Sequence, residues 1–216
     1  MEPFVAMLTD DERSALRQHS VERRFSKGEV VFHEGDPGDS IHLVERGLFV
    51  ATSSSTRGHV LAVNVFRAGT VFGEFSLFSV DALRSATITA VHPGRTRMVR
   101  RAAFNELRSK YPSLNDLLLQ MLVERNRKLT QQVVELLFTP THRRVHRQLL
   151  HLDELGIACD AEGWIVLSQD DLATLTATTR ATVNRALRDA ERHGCLELRR
   201  GRSRIIDRVA LARLAS

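Results

Sequence analysis

The spacing of apolar residues divides the chain into stretches with different periods. From Val21 to about Val99, short β-branched and aromatic runs alternate with glycine-bearing turns. Val30-Val31-Phe32 precedes Glu34-Gly35-Asp36-Pro37-Gly38-Asp39, Ile41-His42-Leu43-Val44 precedes Glu45-Arg46-Gly47, and Val60 to Val65 precedes Ala68-Gly69. Such runs, about four to six residues long, predict an antiparallel sandwich or barrel. Gly35, Gly38, Gly47 and Gly69 are expected in turn conformations closed to other residues. Ahead of this region, Thr9-Asp10-Asp11-Glu12 is a capping box that predicts a short helix through Leu16.

After Pro112 the period becomes helical. Residues 113–138 contain neither glycine nor proline, and Leu122, Leu129 and Leu136 recur every seventh position, with Leu118 and Val133 nearby on the same side. That is a heptad seam. An amphipathic helix lying on its own domain would share part of the pattern. Its length favours a dimer helix, because it exceeds what a surface helix of so small a domain needs. Pro140 ends the helix and marks a hinge. The expected organisation is a first domain over 1–111, a dimerisation helix and hinge over 112–139, and a last domain over 140–216.

The last stretch carries two short helices and a hairpin. Ser168 is a good N-cap for Gln169 to Leu175, with Asp170 and Asp171 in the first turn where the helix dipole favours acids. Thr176-Ala177 makes a turn, and Thr178 or Thr179 caps a second helix from Arg180 to Glu191. Ala173, Val183 and Leu187 are predicted to face inward, leaving Arg180, Ala181, Asn184, Arg185 and Arg188 outward. Two strands, Cys195 to Leu198 and Ser203 to Ile206, flank Arg199-Arg200-Gly201-Arg202, a hairpin with arginines at its tip. The unit reads as a winged helix-turn-helix. Its second helix lies in a DNA major groove, where Arg180 and Arg185 address guanine edges. Arg200 and Arg202 on the wing address phosphates.

Charge sharpens this reading. The chain carries a net charge of +5, and of its 31 basic residues only Lys27, Lys110 and Lys128 are lysines. From residue 172 onward ten arginines face four acids, so the positive charge is concentrated where DNA would lie. Cys159 and Cys195 lack metal-ligand spacing, which argues against a zinc or iron–sulfur site and a disulfide framework. No signal-peptide pattern and no apolar run of membrane-spanning length is present, so a soluble, cytoplasmic protein without a membrane partner is expected.

A second chemistry sits mid-chain in Phe72-Gly73-Glu74-Phe75-Ser76-Leu77-Phe78, followed by Arg84-Ser85-Ala86-Thr87. A cyclic nucleotide offers one phosphate, a ribose hydroxyl and a flat base. Gly73 lets backbone approach a ligand. Glu74 to Phe78, including Phe75 and Ser76, is predicted to form one helical turn with free amides toward an anion. Glu74 suits a ribose hydroxyl, Arg84 supplies a charged fork for phosphate, and Ser85 adds a hydroxyl donor. A plain surface salt bridge between Glu74 and Arg84 is the simpler alternative.

The motifs Phe25-Ser26-Lys27-Gly28-Glu29, Glu34 to Asp39, Arg46-Gly47, Gly73-Glu74 and Arg84-Ser85-Ala86, with the C-terminal helix pair, resemble the cyclic-AMP receptor protein and fumarate–nitrate regulator (Crp–Fnr) family over nearly the whole chain. The ten-residue spacing from Glu74 to Arg84 agrees with the cyclic-AMP-sensing branch. The resemblance implies an α+β protein: an N-terminal β-roll (jelly-roll) cyclic nucleotide-binding domain, a long dimerisation helix and a C-terminal winged helix-turn-helix. It implies a homodimer on a palindromic operator in double-stranded DNA, RNA polymerase as a partner, cyclic AMP as effector and no metal. It adds Thr130, counted back from Phe138, as a base contact from the dimer helix, and Arg125 as a partner of Glu74. Two departures stand out. The family's recognition helix often begins Arg-Glu-Thr-Val, whereas this chain has Arg180-Ala181-Thr182-Val183, so its half-site should differ. Pro140 replaces a helix-capping aspartate, leaving Thr139 or Thr141 to cap. Alternatives are a regulator with another effector or none, a cyclic nucleotide buffer, and a cupin-like metalloenzyme using His33, His42, His59 and His92, although these lack clustered spacing.

Overall fold

The computed structural model describes residues 4–54, 60–78, 81–154, 156 and 159–216. His59 lies outside them. The chain divides into two compact units, Met1–Ser53 with Val63–Leu129, and Ser54–Ala62 with Thr130–Ser216.

The first unit begins with a 3-10 turn, Phe4–Met7, and helix α1, Asp10–Gln18. The capping box forms as the sequence predicts: Thr9 Oγ1 accepts from the Glu12 amide, and the Thr9 amide donates to Glu12 at 2.8 Å. Strands β1 (Ser20–Phe25), β2 (Val30–Phe32), β3 (Ser40–Ser54), β4 (Val60–Phe66), β5 (Val71–Phe72) and β6 (Thr87–Arg100) build one six-stranded sheet in the order β1-β6-β3-β4, with β2 on β6 and β5 on β3. The paired strands β1–β6, β2–β6, β3–β5 and β3–β6 are antiparallel. An aromatic core fills the sheet's interior, where Phe72 packs against Phe49, Phe66 and Phe32.

Two glycine expectations need correction. Gly47 is not a turn between strands: β3 runs through it, the register shifts there, and its φ of +94° makes a bulge. A Cβ would lie 2.4 Å from Gly94 Cα, so two glycines let β3 and β6 bend against each other. Gly38 does not have a positive φ. It is required by packing, because a Cβ would fall 2.3 Å from Ser76 Cβ.

Helix α2 is a single turn, Phe75–Phe78; α3 spans Arg101–Lys110 and α4 spans Ser113–Phe138. Leu114, Leu118 and Met121 of α4 join Leu16, Ile41, Val99 and Phe104 in a second core. Leu118 therefore belongs to the first unit's own core rather than to an intermolecular seam. One face of α4 packs on its own domain, as the amphipathic reading expects, while Leu119, Val123, Leu129, Val133, Val134 and Leu137 are exposed.

In the second unit, α5 (Thr141–Glu154), α6 (Gln169–Leu175), α7 (Arg180–Arg192) and α8 (Arg208–Ala215) pack around Val145, Leu149, Trp164, Leu172, Val183 and Leu187. Strands β7 (Leu196–Arg199) and β8 (Arg202–Ile205) form the hairpin, and Ile165 bridges to Ser203 as a third, minimal strand. The start of α5 differs from expectation. The Pro140 carbonyl accepts the amides of Arg143 and Arg144, and the guanidinium of Arg144 takes the carbonyls of Thr139 (3.0 Å) and Thr176 (3.3 Å). These bonds serve carbonyl acceptors, whereas an N-terminal cap accepts amides, so Arg144 does not replace the cap expected from Thr139 or Thr141.

Candidate functional site

Two constellations stand out, one in each unit. The first surrounds Gly73, whose φ of +88° favours glycine and whose Cβ would lie 2.8 Å from Arg84 Nη1. Arg84 is buried. Its Nη1 donates to the carbonyls of Ser40 (2.7 Å) and Gly73 (3.1 Å) and to Ser76 Oγ (3.2 Å), and its Nη2 donates to Ser40 Oγ (3.0 Å). The guanidinium lies 4.0 Å from the Phe32 ring centroid, with an Asp39 carboxylate oxygen also 4.0 Å from Nη2. Burial lowers the Arg84 pKa from its ordinary range, while Asp39 opposes the shift.

Glu74 is fully buried and pairs with Arg125 of α4, the partner implied by the family resemblance. Arg125 also donates to the Val71 carbonyl and lies 5.0 Å from the Phe66 ring centroid. Burial pushes the Glu74 carboxyl above the usual carboxylate range, with Arg125 acting in the opposite sense. The surface salt bridge between Glu74 and Arg84 is not what the structure holds: both side chains are interior and each has other partners. Ser76 is buried and caps the Gly73 carbonyl (2.9 Å), whereas Phe75 and Ser85 are exposed. Thr130 is exposed on α4.

Two polar atoms flanking Gly73 are buried without a protein partner, Glu74 Oε2 and Arg84 Nε. One is an acceptor and the other a donor. Buried groups of this kind are normally satisfied by protein, by ordered water or by a bound molecule, and these two are among eight such atoms in the described residues. Sequence reasoning missed Arg101, which ties the carbonyls of Gly38 (2.5 Å) and Ser76 together beside this cluster. His42, considered in the sequence only as a metal ligand, is instead stacked on Phe72 at 4.9 Å with its Nδ1 3.0 Å from Thr96 Oγ1. Burial first, then Arg84, lowers the His42 pKa to about 3. Of the histidines considered as metal ligands, His42 is thus committed to the aromatic core and His33 is exposed. Among the described residues no cluster of three or more His, Cys, Asp or Glu side chains is gathered to hold a metal.

The second constellation is the helix pair. Ser168 caps α6 through a box with Asp171, whose amide donates to Ser168 Oγ at 3.1 Å. Thr179 caps α7 by accepting the Thr182 amide at 3.2 Å. Ala177 adopts φ +49° at the turn. Ala173, Val183 and Leu187 form the buried face, and Arg180, Ala181, Asn184, Arg185 and Arg188 are exposed, as the pattern predicts. Gln169 donates to Asn184 Oδ1 at 3.2 Å, linking α6 to the outer face of α7. Arg180 lies 3.3 Å from Asp170, and Arg188 2.7 Å from Glu191. On the wing, Arg200 is exposed at the tip, whereas Arg202 pairs with Asp160 at 3.5 Å and is half-buried. The two wing arginines that read alike in sequence therefore sit in different surroundings.

Comparison with known proteins agrees with both constellations. The model of the cyclic nucleotide-binding domain matches residues 22–111, and that of the Crp-like helix-turn-helix domain matches residues 143–214. The chain is 29% identical over 194 residues to a CRP-like cAMP-activated global transcriptional regulator of Mycobacterium tuberculosis, covering 88% of this chain and 86% of that one. It is 25% identical to the cyclic AMP receptor protein of Thermus thermophilus, covering 99% and 96%. In fold it is similar to the c-di-GMP responsive global regulator CLP of Xanthomonas campestris, with a TM-score of 0.81, 20% identity, and 92% and 100% of the two chains covered. No helix among the described residues is long and apolar enough to cross a membrane. The relatives matched over most of both chains are named as transcription regulators, which speaks against the cupin-like reading. With a cyclic nucleotide-binding domain ahead of a DNA-binding helix-turn-helix, the chain belongs to the Crp–Fnr family of transcription regulators.

Proposed function

We propose that this regulator is a cytoplasmic homodimer joined along α4, that its effector is cyclic AMP, and that cyclic AMP promotes binding to a palindromic operator from which it acts on RNA polymerase. The observation that carries the effector reading is the pair of buried, partnerless atoms Glu74 Oε2 and Arg84 Nε beside Gly73. A ribose hydroxyl donates to the first, and a cyclic phosphate accepts from the second. Gly73, Glu74, Phe75, Ser76, Arg84, Ser85 and Arg125 form the ligand set on this reading, with Thr130 as the base contact from α4. The names of the relatives from Mycobacterium tuberculosis and Thermus thermophilus point the same way.

The dimer reading rests on the exposed apolar residues of α4, because a run of such residues on one helix marks an interaction surface. The division into 1–111, 112–139 and 140–216 follows from it, with α4 as the shared element. Ser168, Gln169, Thr179, Arg180, Ala181, Asn184, Arg185 and Arg188 face the DNA from the helix pair, and Arg200 and Arg202 from the wing. Ligand bound between the β-roll and α4 favours the dimer arrangement whose recognition helices are about 34 Å apart, one turn of DNA. Calorimetric titration of the purified protein with cyclic AMP and cyclic GMP tests the effector: saturable cyclic AMP binding at one site per chain, tighter than cyclic GMP, is expected. Heat from neither nucleotide would reject it.

A further inference from the structure

The wing is built around Trp164, the only tryptophan in the chain. Its ring is fully buried, and the guanidinium carbons of Arg199, Arg202 and Arg204 lie 4.5, 4.8 and 4.7 Å from its centroid. Three like charges on one ring repel, and two acids hold them there. Glu197 pairs with Arg199 at 3.0 Å and with Arg204, and Asp160 pairs with Arg202 at 3.5 Å. Asp160 also fixes the indole's own segment: its Oδ1 accepts the Trp164 amide at 2.9 Å, and its amide donates to the Trp164 carbonyl at 2.9 Å. The next residue, Ile165, exchanges backbone bonds of 2.7 and 3.1 Å with Ser203 between two of the arginines. The indole N–H finds no protein acceptor, so packing against its faces holds the ring.

We infer that Trp164 is a positioning residue for phosphate recognition: its ring orders Arg199, Arg202 and Arg204 into one cationic platform before DNA arrives, while Arg200 at the tip contacts phosphate without that support. The inference rests on the DNA-binding reading of this unit. A guanidinium stacked on an aromatic face keeps its edge N–H groups for an anion. Free arginine side chains lose rotamer freedom on binding, and a platform ordered in advance avoids that loss. The charge of the wing is therefore not sufficient for its affinity; its geometry depends on an uncharged residue in a segment away from the hairpin.

The test uses the full chain and a fluorescent duplex of random sequence, titrated over a range of salt. Trp164→Leu leaves every charge in place. It is expected to weaken duplex binding about tenfold and to reduce the slope of log affinity against log salt by about 2, as two phosphate contacts are lost. Trp164→Phe keeps an aromatic face and is expected to stay within about threefold of wild type, a rescue that general stability would not dictate. Emission of the wild-type tryptophan should change on duplex addition. Circular dichroism establishes that the variants are folded; if Trp164→Leu unfolds, the Phe variant and the wild-type emission decide. Equal losses in both variants, unchanged affinity and slope in folded Trp164→Leu, or wild-type emission unmoved by bound duplex would each overturn the inference. Wild-type protein with no salt-dependent duplex affinity would overturn it together with the DNA-binding reading itself.

Discussion

Replacing Arg84 separates ligand recognition from fold maintenance. The guanidinium serves the carbonyls of Ser40 and Gly73 and the hydroxyls of Ser40 and Ser76, all from a buried position. Arg84→Leu removes those donors. Each buried acceptor left unpaired costs about 1–3 kcal/mol, and partial hydration of the opened site recovers some of it, so a loss of about 2–4 kcal/mol in unliganded stability is expected. For a chain of this size that lowers Tm by roughly 4–16 °C. Loss of the charged partner of a buried phosphate adds about 2–5 kcal/mol to the ligand side, a drop of about 30-fold or more in cyclic AMP affinity. Arg84→Lys keeps the charge and some donors but not the fork, so it should recover part of the stability and little of the affinity. Calorimetric unfolding and cyclic AMP titration of wild type and both variants measure the two effects separately. Unchanged affinity in a folded Arg84→Leu protein would refute the pocket assignment. An unchanged Tm would refute the structural half of the reasoning.

Three further outcomes follow from other parts of the molecule. The His42 pKa of about 3 lies below its ordinary value, so the unfolded chain binds a proton there that the folded chain refuses; stability is present above about pH 6.5 and declines as pH falls. Between pH 6.5 and 5 this amounts to about 2 kcal/mol, and thermal unfolding at the two pH values should show it, with the difference much reduced in His42→Gln. Leu137→Glu together with Val123→Glu places charges on exposed apolar positions of α4 and should shift sedimentation from dimer to monomer while circular dichroism stays native; an intact dimer would place the interface elsewhere. Arg180→Ala should flatten preference at one base pair of each half-site, worth about 1–3 kcal/mol, and Ala181→Glu should move preference toward cytosine; identical motifs from random-duplex selection would remove α7 as the reader.

The DNA-binding helices were legible residue by residue because capping, turn chemistry and helical period all act locally: Ser168, Thr179, Ala173 and Val183 stand where pattern reasoning puts them. The β-strands were legible as runs but not as a sheet. Their pairing is non-local, so neither the bulge at Gly47 nor the central place of β6, which pairs with β1, β2 and β3, could be read from spacing. Gly38 shows the same limit, since its reason is Ser76, distant in sequence and adjacent in space. The heptad at Leu122, Leu129 and Leu136 signalled a helix with an apolar stripe, but periodicity does not say whether that stripe meets the same chain or another. Leu118 turned out to face inward. Arg101, Arg144 and Trp164 gave no signal at all, because arginines abound in this chain and nothing about a lone tryptophan says what lies on its faces.

The central claim is that the nucleotide pocket and the recognition helix are energetically coupled, and reciprocal titration measures this directly. Fluorescence anisotropy would follow a selected operator duplex binding to the protein with and without saturating cyclic AMP, and calorimetry would follow cyclic AMP binding with and without saturating duplex. The account predicts that cyclic AMP tightens operator binding by about 5–150-fold and that the operator tightens cyclic AMP binding by the same factor, as linkage requires. Tight binding of both ligands with neither affinity altered by the other would contradict it.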